Sequence, residues 1–342
     1  MTVKKVAILV DDLELGSPSQ QIVDRFLIGY NRDGVFERPA IEKIAIWCRS
    51  ADEKIAQQRR HEFPKNFVSS RDEATANANA VVFIQNEGLP ELIEHAPAGA
   101  PTFVYGLLAK TKAGAEAIIR TAENRNLPLC AGSVMSALQH LPPMDIPTGR
   151  GIGAQIREAL IVTQGASPKA ELDAFDALAP ILDRHGGIRE IRNIKTLEGD
   201  AVWEAGNQDW SWRMLASAFS RTDKAQGNTL LDGRTEDIVG LGLTQKMAKN
   251  PRARIIEHSG GLRTAITVLD GVVADLLVAV RAGRRLLPGT IYSTQLFQSQ
   301  APQQEHFSRL VAVISDFFES SIAPWDTTRA LVAADLAERL GK

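Results

Sequence analysis

The chain has 342 residues, with 39 Lys and Arg against 41 Asp and Glu and a formal net charge of -2. That balance excludes a nucleic-acid binder built on a basic face, which needs cations to offset phosphates. Hydrophobic residues at 44% and charged residues at 23% are ordinary for a globular protein and exclude fibrous and disordered classes, and the length suits about two domains.

Cys48 and Cys130 are too few for a disulfide framework, which places the chain in a reducing cytoplasm. No apolar run approaches the ~18 residues of a bilayer span, so no membrane partner is expected. Lys4-Lys5 before Val6-Ala7-Ile8-Leu9-Val10 mimics a secretory signal, but that apolar stretch is too short and Asp11-Asp12 follow at once. A buried first strand fits better.

In chain order, Val6 to Val10 reads as a strand buried on both faces. A helix follows from about Ser19, with Ile22, Val23, Phe26, Leu27 and Tyr30 at helical spacing. Ile44 to Cys48 is a second strand, followed by a charged helix over Ala51 to Arg60, and Phe67-Val68 is a weak third strand. Ser70 and Glu73 have capping-box spacing. Val81 to Ile84, Thr102 to Tyr105 and Leu127 to Cys130 are further strands, with a helix over Lys112 to Asn124 between the last two. Strands alternating with helices over short connections predict a Rossmann-like, doubly wound parallel sheet for residues 1–140.

Leu141-Pro142-Pro143 breaks the rhythm. Beyond it, Ala159 to Thr163 reads as a strand, Leu172 to Arg184 as a helix, and Ile188 to Leu197 and Arg254 to Leu269 as partly alternating strand-like stretches. This predicts an α+β second domain over residues 141–302, with an open mixed sheet and its helices on one face. Residues 303–342 predict two closing helices that pack back on the first domain. One carries the stripe Phe307, Leu310, Val311, Ile314, Phe317 and Phe318; Pro324-Trp325 separates it from the other.

This layout resembles the glucose–fructose oxidoreductase and inositol dehydrogenase (Gfo/Idh/MocA) family. The likeness rests on Ser70-Arg71-Asp72-Glu73 through Ile84, on Ala100-Pro101-Thr102 through Ala131-Gly132-Ser133, and on His306-Phe307 through Leu340. The resemblance implies an oxidoreductase that moves hydride between a pyridine nucleotide and a carbinol carbon of a sugar, polyol or related molecule. It also implies pairing through the second-domain sheet, hence a homodimer or larger assembly.

The implied site residues are altered. A dinucleotide fold needs glycines after the first strand so that the backbone can approach the pyrophosphate. Here the turn reads Asp11-Asp12-Leu13-Glu14-Leu15-Gly16-Ser17-Pro18-Ser19. Gly16, Ser17 and Ser19 are candidate donors, three acids oppose a phosphate, and the alternative is a capped loop that binds none. Arg49-Ser50 ends the second strand, where an arginine suits the 2'-phosphate of NADP better than NAD; a solvated arginine at a helix start is the alternative.

The family's Glu-Lys-Pro lysine is missing: Tyr105-Gly106-Leu107 stands in its place, followed by Lys110 and Lys112. Tyr105 is a candidate proton donor and Lys110 an electrostatic partner, against the readings of a packing tyrosine and surface lysines. The family's histidine on a second-domain helix is also missing. Asp173 and Asp176 lie one turn apart there, able to share a proton or merely to form a solvated acidic face. Asp176 stands where the histidine would, which makes it the favoured proton acceptor in a cleft between the domains.

Glu198, Asp200 and Trp203, with Trp210 and Trp212 close by, combine carboxylates and aromatic faces as carbohydrate sites do; tryptophans filling a helix–sheet seam are the alternative. The histidines lack zinc spacing and no CxxC occurs, so no metal is expected. Against the oxidoreductase stands a degenerate member without redox activity, either a sugar lyase or isomerase or a regulatory or partner subunit.

Overall fold

The structure, a computed structural model, describes residues 3–50, 53–84, 89–147, 155–165, 167–223, 237–283 and 289–341. The chain divides into two compact units, residues 1–137 with 299–338 and residues 138–298 with 339–342.

The first unit opens with β1 (Val3–Val10), in which Val6 to Val10 are completely buried. Helix α1 (Pro18–Ile28) starts at Ser17, whose hydroxyl accepts from the Gln20 amide, with proline in its first turn; such a cap contributes about 1 kcal/mol. The helix ends at Gly29, and a hairpin of β2 (Tyr30–Arg32) and β3 (Val35–Glu37) follows. Tyr30 was expected to continue the helical stripe, but Gly29, at φ 103°, turns the chain into β2. Next come β4 (Ile41–Cys48), α2 (Lys54–Glu62), α3 (Arg71–Thr75), β5 (Ala80–Ile84), α4 (Leu89–His95), β6 (Thr102–Tyr105), α5 (Lys112–Asn124) and β7 (Leu129–Gly132). The expected start of α2 at Ala51 lies outside the described residues. Ser70 accepts from the Glu73 amide as its spacing predicts, while the Glu73 carboxylate reaches back to Ser69 rather than to Ser70 itself.

The sheet runs β4-β1-β5-β6-β7 with all pairs parallel. Phe67 adds one parallel bridge to Ile46 beyond β4, the remnant of the weak third strand. With that remnant the order is the Rossmann one, and β1 is central. Helices on both faces explain why its strands read as unbroken apolar runs.

The second unit contains β8 (Gln139–Leu141), β9 (Gln155–Thr163), α6 (Pro168–Arg184), β10 (Ile191–Glu198), α7 (Asp200–Glu204), α8 (Trp212–Phe219), α9 (Leu243–Met247), β11 (Lys249–His258), β12 (Arg263–Asp270), β13 (Leu276–Gly283) and β14 (Thr290–Phe297). Its open sheet has the order β10-β11-β12-β9-β13-β14-β8 and is mixed, because β12 and β9 pair in parallel and the other pairs are antiparallel. The stretch from Arg254 to Leu269 is two strands, turned by Gly260 and Gly261 at φ 87°.

The expectation that helices cover one face of this sheet is corrected. Leu160, Val162, Ala253, Ile255, Leu277 and Ala279 pack with Trp210, Met214 and Leu215, so the α7–α8 segment covers one face. Arg252 and Arg254, which alternate with Ala253 and Ile255, turn to Glu171 of α6 on the other.

The last helices, α10 (Glu305–Ser320) and α11 (Thr327–Leu340), belong to the first unit. Phe307, Leu310, Val311, Ile314 and Phe317 are buried, and Arg25 of α1 donates to Ser308 of α10 at 3.1 Å.

Candidate functional site

The carboxyl ends of a doubly wound sheet form its natural ligand crevice, deepest where the strand order reverses. That point lies between β1 and β5. Residues 85–88, which follow β5, lie outside the described residues.

At the end of β1 the chain turns through Asp11 and Asp12. Asp11 accepts an ion pair from Arg49 at 3.1 Å, and its carbonyl accepts from the Ser50 amide at 2.9 Å. The expected cofactor residues Arg49 and Ser50 are thus tied to the turn opposite them. Leu13 is buried, and its amide donates to Glu53 at 3.0 Å. Gly16, at φ 79°, donates to the Gln20 side chain at 2.5 Å. The Ser17 amide donates to the Glu14 carbonyl, and Ser17 in turn accepts from Gln20 and Gln21. Ser19 is buried and hydrogen-bonds Asp12. Burial, then Glu53 and Asp11, raise the Asp12 pKa.

These contacts test the turn against a pyrophosphate. The amides of Leu13, Gly16, Ser17, Gln20 and Gln21 already have acceptors within the protein. Four carboxylates, on Asp11, Asp12, Glu14 and Glu53, stand at or beside the turn. As built, the turn fits a pyrophosphate poorly. Behind it, the Cys48 thiol is pushed up to about 11, first by burial and then by Glu53, so it is no thiolate near neutrality.

At the other end of the sheet, Tyr105 closes β6 and is half-buried. Gly106, at φ 90°, donates to the Gly132 carbonyl at 3.0 Å. Lys110 is exposed, and the Lys112 amide donates to Glu338 at 3.1 Å. A residue that sequence reading noticed only as a helix break occupies this edge. The Trp325 indole donates to the Ala131 carbonyl at 2.7 Å and packs edge-on to Phe103. A side chain at Gly132 would come within 3.0 Å of that indole, so the glycine is what lets Trp325 lie on the end of β7. The Arg329 guanidinium stacks 4.6 Å over the same ring.

In the second unit, α6 carries Asp173 and Asp176 on its half-buried flank. Asp173 is held by Lys169 at 2.5 Å. Sequence reading passed over Glu171, which is completely buried and paired with Arg254 at 2.9 Å and Arg252 at 3.4 Å. Arg252 also meets Glu198 at 3.1 Å, which joins a predicted substrate residue to this network. Asp200 is exposed in the first turn of α7. Trp203 stacks on Trp212 at 5.9 Å, Trp212 packs on Trp210, and the Trp210 indole donates to the Val202 carbonyl at 2.8 Å. The tryptophans therefore form the seam between α7, α8 and the sheet, while Glu198 turns toward the arginines. Among the described residues no cluster of His, Cys, Asp and Glu could hold a metal ion, and no helix is long and apolar enough to cross a membrane.

No protein-family model matches the chain, and no curated protein matches it by sequence. Solved structures match nearly all of it. A protein of gentamicin A biosynthesis in complex with NAD is 13% identical, with a TM-score of 0.59, over 99% of this chain and 93% of that one. The myo-inositol dehydrogenase of Lactobacillus casei, in complex with NAD(H) and myo-inositol, is 14% identical, with a TM-score of 0.55, over 98% and 92%. The UDP-N-acetylglucosamine 3-dehydrogenase of Acidithiobacillus ferrooxidans is 12% identical, with a TM-score of 0.54, over 99% and 97%. At such identities the likeness is one of fold: the chain has the fold of Gfo/Idh/MocA-type dehydrogenases, the fold its sequence layout resembles.

Proposed function

We propose that the chain is an NAD- or NADP-dependent oxidoreductase acting on a sugar, polyol or related hydroxylated small molecule. The supporting observation is the fold match, which spans 99% of this chain against a structure solved with NAD and 98% against one solved with NAD(H) and myo-inositol. When bound, the dinucleotide would supply the hydride carrier. In this reading Asp176 takes the substrate hydroxyl proton with Asp173 one turn away on the same helix, Tyr105 is a proton donor, and Lys110 is the electrostatic partner of the developing alkoxide. Gly16, Ser17, Ser19, Arg49 and Ser50 are the residues that would hold the dinucleotide. Glu198 and Asp200, both exposed, and Trp203, half-buried in the α7–α8 seam, would be the residues that meet the substrate.

The β1–α1 turn sets a condition on this reading. A pyrophosphate must displace the Gly16–Gln20 hydrogen bond and lie beside Asp12, so dinucleotide affinity at neutral pH is low. The same turn favours a second reading, a family-type protein without redox activity that serves as a lyase, isomerase or partner subunit. Titrating NAD and NADP into the intact protein, with nucleotide fluorescence and thermal unfolding as readouts, separates the two. Saturable binding, followed by nucleotide reduction with a panel of sugars and polyols, supports the oxidoreductase. Absence of binding at millimolar nucleotide supports the second reading.

A homodimer or larger assembly, pairing through the second-domain sheet as the family resemblance implies, is part of the proposal. Light scattering decides between that assembly and a 37.2 kDa monomer.

A further inference from the structure

The second unit holds a cavity of about 420 Å³ at the start of β9 and β12 and the end of α6. Its size lies within the ~300–1,000 Å³ of small-molecule pockets. Its wall carries Arg157, His185 and Arg189 and the glycine pairs Gly186-Gly187 and Gly260-Gly261, and among the described residues no carboxylate lines it.

Three features give this wall a chemistry. First, the two arginines lack partners among the described residues. Neither the Arg157 nor the Arg189 guanidinium has a carboxylate or hydrogen-bond acceptor among the described residues. The acid next to Arg157 in sequence, Glu158, is committed to Arg263 at 3.0 Å and Arg281 at 3.1 Å. Arg184 adds positive charge near His185. A concave wall of one sign concentrates its field on whatever enters.

Second, the backbone is bare. All four glycines have positive φ. Nothing lies within 4 Å of where a Cβ would stand at Gly186, Gly187 or Gly261, so a ligand can approach the main chain closely. The Arg189 side chain lies across Gly260, where a Cβ would be 2.9 Å from its Cδ, which fixes the path of that guanidinium along the wall.

Third, the last turn of α6 is capped on this side. The Leu182 carbonyl already accepts from the amides of His185 and Gly187.

The other large cavity, in the first unit, lacks this character. Its wall includes Asp24, Arg32 and Asp33, which are paired with Arg59, Glu37 and Arg309 respectively. Its Arg25 is occupied by Ser308 and the carbonyls of Gln303 and Gln304.

We propose that the cavity bounded by Arg157, His185, Arg189 and the two glycine pairs binds a phosphate monoester on a small organic molecule. Two guanidinium groups on the wall of one cavity suit a phosphate, whose oxygens accept parallel N–H bonds from a guanidinium. The volume leaves room for the organic part. The site goes beyond the oxidoreductase reading and stands or falls without it.

The test is calorimetric titration of the intact protein with inorganic phosphate, a hexose monophosphate and the same hexose without phosphate. The hexose monophosphate should bind saturably and the bare hexose should not. Inorganic phosphate that binds and competes marks the phosphate as the recognised group; a hexose monophosphate that binds where inorganic phosphate does not assigns the site to the organic ester. Arg157→Gln and Arg189→Gln should each weaken binding by about tenfold or more, and the double variant should abolish it, with circular dichroism unchanged. Arg120→Gln, on the exposed face of α5, should bind like the parent. No saturable binding of either phosphate compound overturns the proposal. So does unchanged affinity in the folded double variant, which would move the phosphate to another site such as Arg49.

Discussion

Arg49 and Asp11 stand 3.1 Å apart at the carboxyl ends of neighbouring parallel strands. On this fold those ends are where a nucleotide ribose and its 2'-phosphate would be met. The arginine that favours NADP in the sequence is held by a carboxylate of its own chain. Both groups are partly exposed, at 38% and 19% of their side-chain surface, so the pair contributes at most about 1 kcal/mol. A phosphate dianion competes well against so weak a contact. Asp11→Asn should therefore loosen the hold on Arg49 and tighten NADP several-fold while changing NAD little. Arg49→Ala should weaken NADP far more than NAD. Calorimetry on the two variants checks both, and equal changes for the two nucleotides would take Arg49 away from the 2'-phosphate.

Asp12 sets a pH dependence. Burial, Glu53 and Asp11 all raise its pKa above the ordinary 3.8, so on acidification it loses its charge before an unperturbed aspartate does. The charge that disappears is one that opposes a pyrophosphate at the α1 start. Nucleotide affinity should rise as pH falls from neutrality toward mildly acidic values, and Asp12→Asn should reproduce the gain at neutral pH and flatten the profile. Dissociation constants measured for parent and variant across that range decide it; affinity independent of pH in the parent would place the phosphates elsewhere.

Glu171 offers a stability test. It is completely buried against two guanidinium groups from β11. Removing one member of a buried ion pair strands the others and typically costs about 3–5 kcal/mol. Glu171→Ala should lower the urea midpoint by a corresponding amount, with Arg254 the more exposed to loss because Arg252 retains Glu198. Glu171→Gln, which keeps an acceptor oxygen, should lose less. A shift near zero for the alanine variant would mean that the network is hydrated and contributes little.

The elements that were legible in the sequence are those whose signal is local. Val6 to Val10 and Val81 to Ile84 are apolar without interruption because helices cover both faces of their sheet. The β2–β3 hairpin had a local signal too, Asp33-Gly34 at φ 50° and 82°, a dipeptide that favours tight hairpin turns. It was hidden because Tyr30 continues the spacing of Ile22 and Phe26. What breaks that spacing is Gly29, where a side chain would meet the Glu37 carbonyl at 2.5 Å, a contact with a strand not yet in view. Glu171 looked like an ordinary acid in a helix's first turn, and its partners lie 81 and 83 residues away. Arg49 and Asp11 were each noticed, but their pairing depends on strand register. The coverage of both faces of the second sheet depends on where α7 and α8 fold back, which no periodicity in either segment reveals.

His306 predicts acid sensitivity in the first unit. Burial, then the nearby Arg25, push its imidazole down to about 4 from the ordinary 6.5. As pH falls below the ordinary value, the unfolded chain takes up a proton that the folded chain refuses until about pH 4. The unfolded state then binds more protons, so stability is full above the ordinary imidazole pKa, declines as pH drops toward the folded value, and levels below it. The loss from this group is at most about 3 kcal/mol. Buried His258 and half-buried His140, both lowered first by desolvation, act in the same direction. Urea unfolding of His306→Gln at neutral and mildly acidic pH should show a smaller acid-induced drop than the parent; an unchanged drop would assign the sensitivity to the other histidines.

Asp176 carries the catalytic proposal. It sits half-buried on α6, where the resembled family places its histidine. Asp173, one turn before it, is held by Lys169 at 2.5 Å, which ties that carboxylate to its own helix. A substrate that closes on this flank excludes water from it, the setting in which a carboxylate acts as general base. With a substrate identified from the sugar and polyol panel, Asp176→Asn should keep the fold and lower kcat by about 10²-fold or more with a smaller effect on KM, and should remove the acid limb of the pH–rate profile. Asp173→Asn should change kcat far less. Full turnover by Asp176→Asn, or an acid limb that survives it, would move the base to another residue and leave Asp176 as part of the polar flank of α6.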